Sequence, residues 1–118
     1  MLSIIIKTLN EEAKIARAIE SALAAAKEFP GSTEIIVADS LSADRTVEIA
    51  ARYPVRVVQF TRVEDRGCGA GVQLGYQHSC GEYIYLLDGD MELVPGFLAE
   101  AYRVMQSDSR LAGVAGLL

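Results

Sequence analysis

Short apolar runs alternate with longer amphipathic stretches along this chain of 118 residues. Runs of four to six branched or aromatic residues are typical of strands that are buried on both faces. Strands that alternate with helices at this spacing form a parallel sheet with right-handed crossovers. The sequence therefore predicts an α/β fold, a mainly parallel sheet with helices on both faces. The predicted strands are 2–6, 33–38, 55–60 and 83–87.

The first helix is predicted to begin at Asn10 and to end near Glu28, before a Phe-Pro-Gly stop. Asn10 is a suitable N-cap, and Glu11 and Glu12 would complement the helix dipole in the first turn. Ile15 and Ile19 belong to an apolar stripe at spacings of three and four. This pattern indicates a helix that lies against the sheet.

The second half of the chain repeats the alternation less regularly. Polar residues interrupt the third strand, which favours a position nearer a sheet edge. The third helix is expected to open within 66–71, to reach about Ser79 and to close at Gly81 as a C-cap. A fourth helix is predicted over 96–106, and residues 111–118 would begin a further strand.

Polar side chains are concentrated where each predicted strand ends, in the segments 8–11, 39–42, 66–71 and 88–90. In an open parallel sheet, ligands bind beyond the carboxyl ends of the strands. These segments should therefore meet at one edge of the sheet and form a site.

Asp88 and Asp90 follow the strand that begins at Tyr83 and are separated only by Gly89. On a continuing strand the two carboxylates would lie on opposite faces, so we expect Gly89 to let the backbone turn them into one cleft. Two hard oxygen ligands at a strand end suit a divalent cation that phosphate oxygens also hold. The alternative is an acidic turn that is merely solvated.

Three further polar residues each admit two interpretations. Asp39 closes a strand and would accept hydrogen bonds from a planar base, or it would be an N-cap or Asx-turn carboxylate for the next helix. Asp44 is better explained as a capping or helix-dipole residue than as a ligand contact. Arg66, just before three closely spaced glycines, would pair with a phosphate or remain a surface arginine.

The net charge of −5 and the absence of a Lys/Arg cluster argue against a general nucleic-acid surface. Cys68, Cys80 and a single His form neither a zinc pattern nor a disulfide framework, so reduced thiols in the cytoplasm are the default. The N-terminal apolar run is too short for a signal peptide or a membrane span.

Four segments together resemble the nucleotide-sugar half of family 2 glycosyltransferases, which have the Rossmann-like GT-A fold. They are Ser-Ile-Ile-Ile-x-Thr-x-Asn-Glu-Glu, Ile-Ile-Val-x-Asp-Ser-x-Ser-x-Asp-x-Thr, Arg-Gly-x-Gly-x-Gly and Gly-Glu-Tyr-Ile-x-x-Leu-Asp-Gly-Asp, in that order. The resemblance implies an inverting transferase that uses a nucleotide-diphosphate sugar, usually a UDP-sugar, with Mg or Mn at the Asp-x-Asp motif. Lys7 departs from the family, which usually has proline there.

The resemblance also implies roles for individual residues. Thr8 and Glu11 would line the nucleoside pocket and Asp39 would bind the base, while Asp88 would contact the ribose or support the metal that Asp90 ligates. The further nucleotide-binding candidates are Asn10, Ser40, Arg66 and Gly67.

Length limits the expected activity. In this family the acceptor-binding half and the catalytic base follow the region that this chain represents, so we expect residues 1–118 to be a single donor-binding domain. The base is expected beyond Leu118, and the acceptor is not predicted. The complete protein would be cytoplasmic or lie at the cytoplasmic face of a membrane.

Two other functions share features of this sequence. A phosphatase of the haloacid dehalogenase type also places Asp-x-Asp at a strand end, but it needs a downstream lysine, and no Lys follows Lys27. A non-catalytic nucleotide-binding or interaction module of the same fold is the stronger alternative. An unfinished sheet edge would also favour a homodimer, because unpaired strand edges invite another chain.

Overall fold

A computed structural model of the chain describes residues 1–66 and 69–108. In these ranges four strands alternate with helices, as the sequence predicts. None of the described helices combines the length and the apolar character that crossing a membrane requires. The elements are β1 (Leu2–Thr8), α1 (Ile15–Glu28), β2 (Thr33–Asp39), α2 (Thr46–Ala50), β3 (Arg56–Gln59), α3 (Ala70–Gln77), β4 (Tyr83–Asp88) and α4 (Phe97–Ser107).

The four strands form one sheet in the order β3-β2-β1-β4, and every pair is parallel. β1 is flanked on both sides, and its apolar residues are almost completely buried. The register places Thr8 opposite Asp39 of β2 and Lys7 opposite Asp88 of β4. The carboxyl ends of three strands therefore lie level with one another.

Helices cover both faces of the sheet, as expected. Ile4 and Ile6 of β1 belong to the main apolar core together with Ile15 and Ile19 of α1. Ile5 points to the opposite face, because side chains alternate along a strand. There α3 approaches so closely that a Cβ on its Gly75 would lie 2.4 Å from Ile5 Cγ2.

The start of the first helix was predicted wrongly. α1 begins at Ile15, and Asn10 is not its N-cap. Asn10 instead has a φ of +53°, and its side-chain oxygen accepts a hydrogen bond from the Ala43 N–H at 2.7 Å. A turn in which the Glu11 carbonyl accepts the Lys14 and Ile15 N–H groups leads into the helix. The predicted end at Glu28 is correct.

Gly81 was also assigned a wrong role. α3 ends at Gln77 with His78 as its C-cap. The backbone of Gly81 lies against the start of β1, where its N–H donates to Ser3 Oγ at 2.9 Å. A Cβ on Gly81 would lie 2.6 Å from Ser3 Oγ and 2.7 Å from the Ser3 nitrogen. Glycine is needed here because the segment that precedes β4 lies against the start of β1, not to end a helix.

β3 lies at one edge of the described sheet, as predicted, and β4 lies at the other. The strand predicted for 111–118 falls outside the described residues. Pairing of a sheet edge with a second copy therefore stays a prediction.

Candidate functional site

A cavity of about 320 Å³ opens at the carboxyl edge of the sheet. It lies between the ends of β1 and β4 and the loop that follows β2. Five of the residues predicted for the site line it: Thr8, Glu11, Ser40, Asp88 and Asp90. Lys7, Leu9 and Gly89 complete its wall. The strand ends thus bring together side chains that are far apart in the sequence.

The turn after β4 places both aspartates in this cavity, as expected, but for a different reason. Gly89 does not have a positive φ, and its N–H donates to the Lys7 carbonyl at 2.8 Å. A Cβ at this position would lie 2.8 Å from Thr8 Cγ2 and 3.1 Å from the Lys7 oxygen. Gly89 therefore permits close contact with β1 rather than an unusual backbone conformation.

Asp39 lies beside the cavity but does not line it. Its side chain is completely buried. Oδ1 accepts hydrogen bonds from Thr8 Oγ1 at 2.7 Å and Ser42 Oγ at 2.5 Å, while Oδ2 accepts the Ser42 N–H at 2.8 Å and Gln59 Nε2 at 3.0 Å. Asp39 therefore bonds to the backbone three residues on, which is neither an Asx turn nor a cap of α2, and it fixes the loop after β2; the base contact stays a prediction.

These hydrogen bonds decide the charge of Asp39. Burial alone would raise its pKa, but the bonds from Ser42, Thr8 and Gln59 outweigh that effect and hold the pKa below the ordinary 3.8. Asp39 is therefore ionised at neutral pH and fastens the end of β2 to β1.

The loops that follow β1 and β2 are joined by hydrogen bonds that reach from one to the other. The Asn10 N–H donates to Ser42 Oγ at 2.8 Å, and the Glu11 N–H donates to Thr46 Oγ1 at 2.8 Å. Asp44 accepts the N–H groups of Thr46 and Glu12 at 3.0 and 3.1 Å, in agreement with its predicted capping role. The loop that carries Glu11 is thus held against the start of α2.

The cavity is acidic. Partial burial and then the negative charge of Asp90 raise the pKa of Glu11. Lys7 Nζ is 3.2 Å from Asp88 Oδ1, and it is the only basic group that lines the cavity among the described residues. Three carboxylates and one ammonium therefore leave an excess of negative charge in this space.

The donor set suits a divalent cation that a ligand helps to hold. No group of three or more His, Cys, Asp or Glu within the described ranges forms a complete metal cage. Asp88 and Asp90 nevertheless offer exposed carboxylate oxygens in one cavity. Mg²⁺ is commonly held by one or two carboxylates plus phosphate oxygens and water, so these residues fit such an ion.

Asn10 and Arg66 are predicted nucleotide-binding residues that, like Asp39, do not line the cavity. Asn10 is exposed and bonded to the loop after β2. Arg66 is also exposed, and its Nη1 donates to the Ser40 carbonyl at 3.0 Å, which keeps the guanidinium near the cavity. Gly67 lies outside the described residues. Their roles toward a nucleotide stay predictions.

Three residues that shape the site were not predicted from the sequence. Ser42 and Thr46 position Asp39 and Glu11 through the hydrogen bonds described above. The sequence feature that could have indicated Ser42 and Thr46 is the density of hydroxyl side chains after β2. Lys7 was noticed only as a departure from a family pattern, and its pairing with Asp88 depends on strand register.

Two curated relatives are transferases. The chain is 38% identical over 89 residues to the low-salt glycan biosynthesis hexosyltransferase Agl6 of Haloferax volcanii, an alignment that covers 75% of this chain and 21% of that protein. It is 34% identical over 101 residues to human dolichyl-phosphate beta-glucosyltransferase, with 75% and 31% covered. The chain thus spans less than a third of the length of either relative.

Solved structures show the same fold. Residues 1–349 of Staphylococcus aureus TarS, in a complex with UDP-GlcNAc, match with a TM-score of 0.77 and 25% identity over 90% of this chain and 31% of that one. Glucosyl-3-phosphoglycerate synthase of Mycobacterium tuberculosis, in a complex with Mn²⁺, UDP and glucosyl-3-phosphoglycerate, matches with a TM-score of 0.70 and 24% identity over 90% and 39%. The second likeness concerns the fold alone.

The profile of one protein family, glycosyl transferase family 2, matches residues 3–116, nearly the whole chain. This match accounts for the Asp-x-Asp turn without the alternative of a phosphatase of the haloacid dehalogenase type. With a GT-A, Rossmann-like fold and transferases among its relatives, this chain belongs to family 2 of the glycosyltransferases.

Proposed function

We propose that residues 1–118 are the donor-binding domain of a glycosyltransferase that holds a nucleotide-diphosphate sugar for inverting transfer. One observation carries the proposal: Thr8, Glu11, Ser40, Asp88 and Asp90 line a single cavity at the carboxyl edge of a parallel sheet. Ligands of open α/β sheets bind at this edge. Family membership supports the same assignment.

A UDP-sugar is the donor that we propose. The TarS structure, which shares the fold at 25% identity, is a complex with UDP-GlcNAc. In the present chain, Thr8 and Glu11 would contact the nucleoside, and Asp39 would either meet the base directly or fix the strand end beneath it. Asn10, Ser40, Arg66 and Gly67 would supply the remaining nucleotide contacts.

Asp90 would ligate a divalent cation, Mg²⁺ or Mn²⁺, and Asp88 would support it or contact the ribose. When bound, such a cation supplies positive charge that stabilises the departing diphosphate. Without it, the carboxylates of Glu11, Asp88 and Asp90 would repel a diphosphate. We therefore expect donor binding to depend on metal.

Acceptor binding and removal of the acceptor proton are assigned to protein outside these residues. An inverting transferase needs a carboxylate base on the acceptor side of the sugar. We assign no such base within the chain, which spans less than a third of its curated relatives. The complete enzyme would act in the cytoplasm or at the cytoplasmic face of a membrane.

Calorimetry tests the proposal with three variants of the 118-residue chain: wild type, Asp90→Ala and Glu100→Ala. Each is titrated with UDP in the presence of Mn²⁺ and again in the presence of EDTA. Wild type should bind UDP at least about tenfold more tightly with Mn²⁺, since charge-assisted contacts of this kind contribute about 1.5–3 kcal/mol.

Asp90→Ala should abolish the difference between the two titrations. Glu100 is an exposed carboxylate on α4 that pairs with Arg103, so its replacement should leave the Mn²⁺ effect intact. Equal affinity of wild type with and without Mn²⁺ would remove the metal from the proposal. No binding of UDP under either condition would reject the donor site itself.

A further inference from the structure

Lys7 is the penultimate residue of β1, and its register partner on β4 is Asp88. The two side chains form an ion pair, with Nζ 3.2 Å from Oδ1. About half of each side chain is exposed, 46% for Lys7 and 51% for Asp88. The pair is therefore accessible to a ligand that enters the cavity, and it can be broken at small cost because exposed ion pairs are weak.

The backbone of α3 directs the Lys7 side chain toward this cavity. Gly71 is buried near the first turn of the helix, and a Cβ on it would lie 3.1 Å from Lys7 Cγ and 3.7 Å from Ser40 Oγ. Any side chain at position 71 would therefore narrow the space that the methylene stem of Lys7 occupies. Ile5, two residues earlier on the same face of β1, meets Gly75 in the same way.

The charges that line the cavity indicate a role for the Lys7 ammonium in binding an anionic ligand. This ammonium pairs with Asp88 and shares the cavity with the carboxylates of Glu11 and Asp90, and no other basic side chain of the described residues lines the cavity. A nucleoside diphosphate adds further negative charge to this excess. An ammonium with rotatable donors on a flexible stem can move from a carboxylate to a phosphate oxygen over a short distance.

We propose that Lys7 binds the diphosphate of the donor and that, while no donor is present, it pairs with Asp88 and competes there with the divalent cation. This inference rests on the proposed donor site and adds a residue to it. With Asp88 engaged by a cation, the Lys7 ammonium would be free to bind the diphosphate. Lys7 thus couples arrival of the metal to formation of a phosphate contact.

Lys7→Met tests the proposal, because methionine keeps an unbranched stem beside Gly71 and removes the charge. The matched control is Lys27→Met, a basic residue in the last turn of α1, far along the chain from the cavity. Circular dichroism establishes that both variants are folded. Each is titrated with MnCl₂ alone, followed by electron paramagnetic resonance, and with UDP in saturating MnCl₂, followed by calorimetry.

The two titrations of Lys7→Met should change in opposite directions. Affinity for Mn²⁺ alone should rise about three- to tenfold, because a competing cation is gone, and affinity for UDP in saturating Mn²⁺ should fall about three- to tenfold, because a phosphate contact is lost. Lys7→Arg should retain most of the UDP affinity. A residue that only supports the fold would lower both affinities together.

The inference would be overturned if Lys7→Met bound both Mn²⁺ and UDP with wild-type affinity, or if it lost affinity for both. The same changes in Lys27→Met would also overturn it. If wild type binds UDP with Mn²⁺ as proposed above, such results reject the role of Lys7 and leave the donor site standing. If wild type binds UDP under neither condition, the donor site itself is rejected.

Discussion

Thr8 and Asp39 end neighbouring parallel strands as register partners, and Thr8 Oγ1 donates a hydrogen bond to Asp39 Oδ1 at 2.7 Å. Thr8 also lines the cavity, whereas Asp39 lies behind it, fully buried. One hydrogen bond therefore connects a wall residue of the site to a buried carboxylate that accepts four hydrogen bonds. Stability and ligand binding should be coupled through this contact.

Asp39→Asn should destabilise the chain by about 2 kcal/mol at neutral pH, because the amide loses the charge that strengthens four hydrogen bonds. The folded-state pKa of Asp39 lies below its ordinary 3.8. The stabilisation is therefore present above that ordinary value and is lost as the pH falls through the folded-state pKa. Urea denaturation at pH 7 and at pH 3 measures the effect.

The difference between wild type and Asp39→Asn should accordingly shrink at pH 3. Asp65→Asn serves as the control, since Asp65 is exposed in a short 3₁₀ turn. A pH-independent difference for Asp39→Asn would contradict the assigned ionisation.

Thr46→Val should lower both stability and UDP affinity. Thr46 is buried, and its Oγ1 accepts the Glu11 N–H, so valine leaves a donor without its partner at a cost of about 1–3 kcal/mol. The loop after β1 should then lose its fixed position beside the cavity. Denaturation and calorimetry of Thr46→Val and Thr46→Ser measure the two effects, and a serine variant as weakened as the valine variant would contradict this role.

Gly89→Ala should damage the cavity directly. The new methyl group would lie 2.8 Å from Thr8 Cγ2 and 3.1 Å from the Lys7 carbonyl oxygen, so β1 and the turn after β4 must separate. Overpacking of this kind costs about 1–3 kcal/mol. Chemical denaturation measures the loss, and UDP affinity should fall with it.

Gly31→Ala is the matched control variant for Gly89→Ala. Its methyl group would approach only the Phe29 ring, at 3.3 Å or more. Equal stability losses in the two variants would show that contact with β1 is not what requires glycine at position 89.

Glu11→Gln should make the chain more stable and bind Mn²⁺ more weakly. Burial and Asp90 raise the pKa of Glu11, so its ionised form opposes folding above that pKa, and this cost disappears as the pH falls through it. The gain in melting temperature should therefore be present at pH 7 and vanish in acid. Loss of one nearby negative charge should weaken Mn²⁺ binding about two- to tenfold.

Glu12→Gln is the control for this variant, because Glu12 is exposed in the same loop and does not line the cavity. Melting scans at two pH values and Mn²⁺ titrations followed by electron paramagnetic resonance provide the measurements. A stabilised Glu11→Gln variant with unchanged Mn²⁺ affinity would exclude Glu11 from the electrostatics of the cation site.

The local pattern of apolar and polar residues was enough to predict most of the fold. Apolar runs and helical spacing located all four described strands and the helices between them, and polar interruptions in β3 correctly indicated an edge. The same pattern failed where a residue's partner is remote. Gly81 bonds to Ser3, 78 positions away, and Asn10 bonds to Ala43, 33 positions away. Propensity alone assigned both residues to helix ends.

The sequence by itself determined the succession of strands and helices and the edge at which polar side chains collect, because both follow from hydrophobic periodicity and the direction of parallel strands. Only the tertiary structure decided that Asp39 is buried and bonded, that Gly89 is there for close contact, and that Lys7 faces Asp88. Those outcomes depend on strand register and on the distance between backbones, which short-range pattern does not encode.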